Sequence, residues 1–127
     1  MITAPRDERD GDMLSALSNE MVGLYKEQLG RGPTRSRSNW AGDNALIVTL
    51  EDSLTPAERR LVQMGEHARL RDARTFAQYA TTHEFVEIAE RLTGRTVRAF
   101  VSGIDTRADV CSEVFYFQPV DGPTQSA

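Results

Sequence analysis

Apolar residues first recur at helical intervals. Leu14, Leu17, Met21 and Leu24 are three or four positions apart, and Val22, Tyr25 and Leu29 widen the same stripe. The pattern predicts an amphipathic helix that closes at Gly30 in the left-handed C-cap geometry, with Pro33 preventing its resumption. The period then switches to alternation. Thr34 to Trp40 reads as a polar edge strand, with Arg35 and Arg37 on one side and Ser36, Ser38 and Trp40 on the other. After the turn residues Ala41-Gly42-Asp43-Asn44, Ala45 to Glu51 reads as a strand with Leu46, Val48 and Leu50 on one face, completing a hairpin.

Thr55-Pro56-Ala57-Glu58 is a helix start: Thr55 can cap, Pro56 fits the first helical position and Glu58 can complete a capping box. Its apolar members Leu61, Val62, Met64, Ala68, Leu70, Ala73, Phe76, Ala77 and Tyr79 lead on to Phe85, Val86, Ile88, Ala89 and Leu92, and Gly94 ends the run. A straight helix over 55–93 would reach about 60 Å, too long for so small a domain. A break is therefore expected near Ala80 to Thr82, where Thr81 and Glu84 can form a second capping box. Thr96 to Ile104 and Asp109 to Gln118 read as strands around the turn Asp105-Thr106-Arg107-Ala108. The expected fold is α+β: a four-stranded antiparallel sheet of two hairpins packed on helices, in the order α-β-β-α-(α)-β-β. Leu29-Gly30-Arg31 and Thr93-Gly94-Arg95 each end a helix before a hairpin, an echo open to two readings, a duplicated αββ unit or coincidence. The boundaries read as a flexible leader over 1–12, one domain over 13–118 and a flexible tail over 119–127.

Composition narrows the reading. The 127 residues suit one domain, with 39% apolar and 27% charged positions. The net charge of -4 argues against a broadly basic nucleic-acid binder. The N-terminal residues have no apolar core of the secretory type, no apolar run approaches the length of a membrane span, and Cys111 is the only cysteine, so a cytoplasmic protein without disulfides is expected.

Candidate chemistry is sparse. His83-Glu84-Phe85-Val86-Glu87 lacks the second histidine of a zincin helix, and His83 and Glu87 read as a surface i, i+4 pair. Cys111 lies in an apolar strand where burial makes a thiol inert. Gly30-Arg31-Gly32-Pro33 follows a helix, whereas phosphate loops follow a strand. No catalytic residue, metal or cofactor is expected. The candidate binding or partner surface is Lys26, Arg31, Gly32, Pro33, Thr34, Arg35, Arg37, Trp40 and Arg95, with the two Gly-Arg turns sought as a paired site. Arg31, Arg35, Arg37 and Trp40 could bind an anion or single-stranded nucleic acid; alternatively Arg31 meets the helix C-terminal carbonyls and the others form a solvated edge that discourages strand pairing.

Ser18-Asn19-Glu20-Met21-Val22-Gly23-Leu24-Tyr25-Lys26-Glu27 running into Gly30-Arg31-Gly32-Pro33-Thr34 resembles the opening signature of the MpsC-like family, a bacterial group named for a sodium-translocating, membrane-potential-generating system. Leu50-Glu51-Asp52, Leu54-Thr55-Pro56-Ala57-Glu58, Thr93-Gly94-Arg95 and Glu113-Val114-Phe115 extend the resemblance from Leu17 to Phe117. The resemblance implies a non-enzymatic cytosolic accessory or regulatory protein beside an ion or inorganic-carbon transport system, peripheral to the membrane through a partner. A homo-oligomer, with a dimer favoured, follows from the edge strands and helix faces available for pairing. The alternatives are the anion- or nucleic-acid-binding domain above and an enzyme whose site forms only at a subunit interface.

Overall fold

The computed structural model describes residues 8–120. Its elements are α1 (Glu8–Leu29), β1 (Arg35–Trp40), β2 (Ala45–Glu51), α2 (Pro56–Gln63), α3 (His67–Ala80), α4 (Thr82–Thr93), β3 (Val97–Asp105) and β4 (Val110–Phe117). The strands form one antiparallel sheet in the order β1-β2-β4-β3. This is the expected α+β arrangement, and it has the internal symmetry of a repeated αββ unit: exchanging the hairpins leaves the strand order unchanged. Gly30 and Gly94 close α1 and α4 with φ of +79° and +70°. α1 begins within the stretch read as a leader; residues 1–7 of that leader and 121–127 of the tail lie outside the described residues.

One face of the sheet carries the core. Leu17, Met21, Leu24 and Tyr25 of α1 and Phe85, Ile88 and Ala89 of α4 are buried against Leu46, Val48 and Leu50 of β2 and Cys111, Phe115 and Phe117 of β4. Phe85, Phe100 and Phe115 stack in sequence with ring centroids 5.3 and 5.1 Å apart. Each such ring withdrawn from water contributes about 2 kcal/mol.

The segment over 55–93 is three helices, one more than its periodicity indicated. Thr55 Oγ1 accepts from Glu58 N–H while Glu58 Oε1 accepts from Thr55 N–H, the reciprocal cap the sequence predicted. α2 then stops because Gly65 adopts φ +79°, which any side chain would resist, and its N–H turns back to Val62 O. The second break falls at Thr81 as expected, but Thr81 does not cap α4. Its hydroxyl donates backwards to Ala77 O at 3.0 Å and Gln78 O at 3.3 Å, closing α3 instead. His83 and Glu87 do not form the expected pair either: the Glu87 carboxylate accepts from Arg91 Nε at 3.0 Å.

The apolar stripe read across α2 and α3 is largely outside. Leu61, Met64, Phe76 and Tyr79 are exposed, Phe76 to 77%. The buried line on α3 is Leu70, Arg74 and Gln78, one helical turn apart. A polar pair therefore faces the sheet where apolar residues were expected.

The opposite sheet face is covered by no described helix. Ala45, Ile47 and Thr49 of β2 and Val110, Ser112, Val114 and Tyr116 of β4 line its centre and are half-buried, with the Arg98 guanidinium of β3 5.7 Å from the Tyr116 ring centroid. Ile47 pairs with Val114 and Val114 with Val101, giving a β-branched row across three strands. Arg35 and Arg37 mark one edge and Asp105 the other.

Candidate functional site

Strand alternation places Glu113 on the same side of β4 as Cys111, Phe115 and Phe117, so its carboxylate enters the core with no exposed surface. A buried charge must be hydrogen-bonded or neutralised. Tyr25 Oη of α1 donates to Glu113 Oε2, and Gln78 Nε2 of α3 lies 2.6 Å from the same oxygen and 2.7 Å from the Tyr25 hydroxyl. Ser102 of β3 donates to Gln78 Oε1 at 3.2 Å, fixing the amide. Glu113 Oε1 is buried without a hydrogen-bond partner among the described residues. Burial pushes the Glu113 carboxyl up to about 7, a rise only partly opposed by hydrogen bonds from Tyr25, Ser102 and Gln78 and by the Arg74 charge. Burial, reinforced by the neighbouring Glu113, likewise holds the Tyr25 phenol well above its usual range.

Arg74 lies one turn before Gln78 and is only 3% exposed. Its guanidinium makes a forked pair with Glu58, Nε to Oε2 at 2.7 Å and Nη2 to Oε1 at 3.0 Å, and Nη2 also donates to Ser53 O at 3.1 Å. Partial burial alone would raise the Glu58 carboxyl, but Arg74 and the Thr55 N–H outweigh it and hold it below the ordinary value. Cys111 Sγ sits 3.8 Å from Arg74 Nη1 and 3.6 Å from Ser53 Oγ, and burial pushes its thiol up.

Above this network lies a cavity of about 330 Å³ between the C-terminal halves of α1 and α3, lined by Tyr25, Gln28 and Leu29 on one side and by Arg74, Ala77 and Gln78 on the other. α1 packs on β1 and α4, whereas α3 packs on β3. The two helices thus diverge, and the Tyr25–Gln78 hydrogen bond spans the gap at its floor.

The residues singled out by sequence lie away from this site, in two groups: Arg31 and Thr34 meet on Asp52, and Trp40 meets Arg95. Lys26 is exposed on the last turn of α1. Gly32 lies so close to that helix that a Cβ would come 3.2 Å from Val22 O, and Pro33 is buried beside it. Arg31 does not meet the α1 carbonyls; its Nη1 donates to Asp52 O at 2.5 Å and Leu54 O at 3.2 Å, and its Nη2 pairs with the Asp52 carboxylate at 3.2 Å. Thr34 Oγ1 donates to the same carboxylate at 2.9 Å. Through the Thr34 hydroxyl first and then Arg31 and Arg59, Asp52 is held below the ordinary carboxylate range. Arg35 pairs across the strands with Glu51 at 3.3 Å, and Arg37 is exposed beside it.

Trp40 and Arg95 meet at the other end of β1. Trp40 Nε1 donates to Asp10 at 3.2 Å, and the Arg95 guanidinium stands 5.8 Å from the Trp40 ring centroid. Arg95 also donates to Asp43 O, Asn44 Oδ1 and Gln118 O at 2.6–2.8 Å, clamping the β1–β2 turn to the end of β4. The two Gly-Arg turns therefore lie at opposite ends of the sheet and form no paired site. Arg31 and Arg35 pair with the neighbouring acids Asp52 and Glu51, whereas Trp40 lies at the other end of β1.

Sequence reasoning passed over Glu113, Arg74 and Gln78, although a signal was there. Glu113 interrupts the apolar phase of β4, and Arg74 and Gln78 follow Leu70 at i+4 and i+8, in register with the buried line.

The architecture and site define a small α+β domain built of two helix-hairpin units around an internal carboxylate-phenol-amide network, with no described helix long and apolar enough to cross a membrane. Comparison with known families gives its membership. The model of the family described as "Na+-translocating membrane potential-generating system (MpsC)" matches residues 9–119, and the chain belongs to that family. No curated protein and no solved structure matches it.

Proposed function

We propose that this chain is a non-enzymatic accessory or regulatory protein that works by protein-protein contact beside a membrane ion or inorganic-carbon transport system, on its cytoplasmic side. The family description supports the membrane context. The observation that carries the contact role is the open sheet face, whose row Ile47, Val114 and Val101 is apolar and covered by no described helix. The buried ionisable groups favour structure over catalysis: Arg74 is engaged by Glu58, and Tyr25 by Glu113.

The apolar row supports pairing of this face with a second copy. A two-fold axis parallel to the strands reverses the strand order, setting β1 of one copy over β3 of the other. Ile47 of one copy then meets Val114 of the other, Val101 meets Asn39, and Arg37 and Arg35 stand over Gly103 and Asp105 respectively. A homodimer through this face is the form in which the accessory role is proposed.

The test is capture from solubilised membranes of the native cell with the tagged chain as bait. Recovery of an integral transport component by the parent, lost in a variant with Val114→Lys, is the expected result. Recovery of no such component by the parent overturns the reading.

A further inference from the structure

β3 is an edge strand of nine residues, with β4 on one side and no strand among the described residues on the other. A long edge needs a guard, because its outward N–H and C=O groups are a template on which another chain can pair. The opposite edge is guarded by charge: Arg35 and Arg37 stand exposed along the six residues of β1. β3 has no such charge at its centre. It is uncharged from Ala99 to Ile104 and carries Phe100, Val101 and Ile104 in that run, which favours strand pairing.

The guard on β3 comes from α3. Ser102 N–H donates to Tyr79 Oη at 2.9 Å, and the same hydroxyl lies 3.5 Å from Ser102 O. The Ser102 backbone therefore points off the sheet, away from β4, and the Tyr79 hydroxyl takes the place that a neighbouring strand would fill. The Tyr79 ring packs on Phe100 at 6.0 Å between centroids. Gln78, the residue before it, anchors the turn: its Oε1 accepts from Ser102 Oγ at 3.2 Å and its Nε2 donates to Glu113 at 2.6 Å. Ser102 is only 8% exposed, although it stands in the middle of an edge strand.

We infer that Tyr79 is a strap that holds the β3 edge closed against antiparallel pairing with β3 of a second copy. The charges at the two ends of the strand identify the occupant. Arg98 and Asp105 are exposed toward opposite ends of β3. A two-fold axis through Ser102, normal to the sheet, pairs Ser102 with its own copy, Phe100 with Ile104 and Val101 with Gly103. Each Arg98 then lies at the end where the other copy carries Asp105, an attraction at both ends of the pair; parallel pairing would set like charges together. The two Ser102 residues exchange backbone hydrogen bonds in place of those to the Tyr79 hydroxyl. This contact is separate from the open sheet face and adds to whatever state that face gives the chain.

Amide exchange and light scattering on the full chain read the strap. Tyr79→Phe keeps the ring and loses only the hydroxyl, so the Ser102 amide should exchange about fivefold faster than in the parent. Tyr79→Ala removes ring and hydroxyl together, and its mass should be at least twice the parent's at the same concentration. Adding Arg98→Glu to Tyr79→Ala sets an acid beside Asp105 of the other copy and should return the mass to the parent's, a reversal that aggregation of an unfolded chain would not show. Should Tyr79→Ala unfold, Tyr79→Leu, which keeps apolar cover on Phe100 and frees the Ser102 backbone, replaces it in the same comparison. An equally slow Ser102 amide in Tyr79→Phe, parent mass in the opened variant, or an assembly that survives Arg98→Glu overturns the proposal.

Discussion

Replacing Glu113 by Gln isolates the energetic weight of the buried carboxyl. In the folded chain burial raises this group from 4.5 to about 7, while in the unfolded chain it titrates near 4.3. Below pH 4 it is protonated in both states, and Gln is close to its isostere. Between the two values the folded state holds a proton that the unfolded state has released. Parent stability therefore falls as pH rises, by about 1.4 kcal/mol per pH unit for a full proton. Integrated over the interval the loss is about 4 kcal/mol, complete above pH 7 to 8 and recovered on acidification. Gln cannot ionise, yet its carbonyl can still accept from the Tyr25 hydroxyl and the Gln78 amide. The assay is urea unfolding of parent and E113Q at pH 5, 6, 7 and 8, with equal m-values as the check that both unfold alike. The difference in stability should swing toward E113Q by most of that amount across the series. Other titrating groups, including Glu58 and Asp52, are common to both chains and cancel. Parallel pH curves would show that Glu113 is not held protonated by its surroundings and would refute the reasoning.

Three further changes follow from the same geometry. Arg74→Met leaves the partly buried Glu58 carboxylate and the Ser53 carbonyl without their donor and should cost about 3 kcal/mol in urea unfolding; a loss below 1 kcal/mol would mean that water replaces the guanidinium freely. Asp109, at φ +58°, accepts from Ser53 N–H at 2.9 Å and Leu54 N–H at 3.2 Å. Asp109→Ala should therefore lower stability by about 2 kcal/mol, and Asp109→Asn by less, since Asn tolerates the conformation and keeps an acceptor. Gly65→Ala meets no neighbouring atom but strains a φ of +79°, which should cost about 1 kcal/mol in thermal or urea unfolding.

The elements were legible because their signals are local. The Leu14–Leu24 stripe, the Thr55–Glu58 box, the two Gly-Arg helix ends and the alternation of Leu46, Val48 and Leu50 each report a backbone period or cap that forms much as written. The Gly65 break was hidden because apolar residues continue on both sides of it. The candidate site was less legible. Arg31 reads in sequence as an anion contact or a partner of the neighbouring helix end, but its partners Asp52 and Leu54 lie more than twenty residues away and become adjacent only when β1 pairs with β2. Phe76 and Tyr79 read as core because they are aromatic; the register of α3 on β3 instead turns Arg74 and Gln78 inward, toward a carboxylate on β4 that only the finished sheet supplies.

The open sheet face is the centre of the functional account, and the mass of the chain in solution tests it most directly. Light scattering on the purified protein should give twice the 14.2 kDa of one chain, falling to a single chain when Val114→Lys places a charge in the middle of the apolar row. A parent that scatters as one chain at working concentration, or a Val114→Lys chain that remains a dimer, would contradict it.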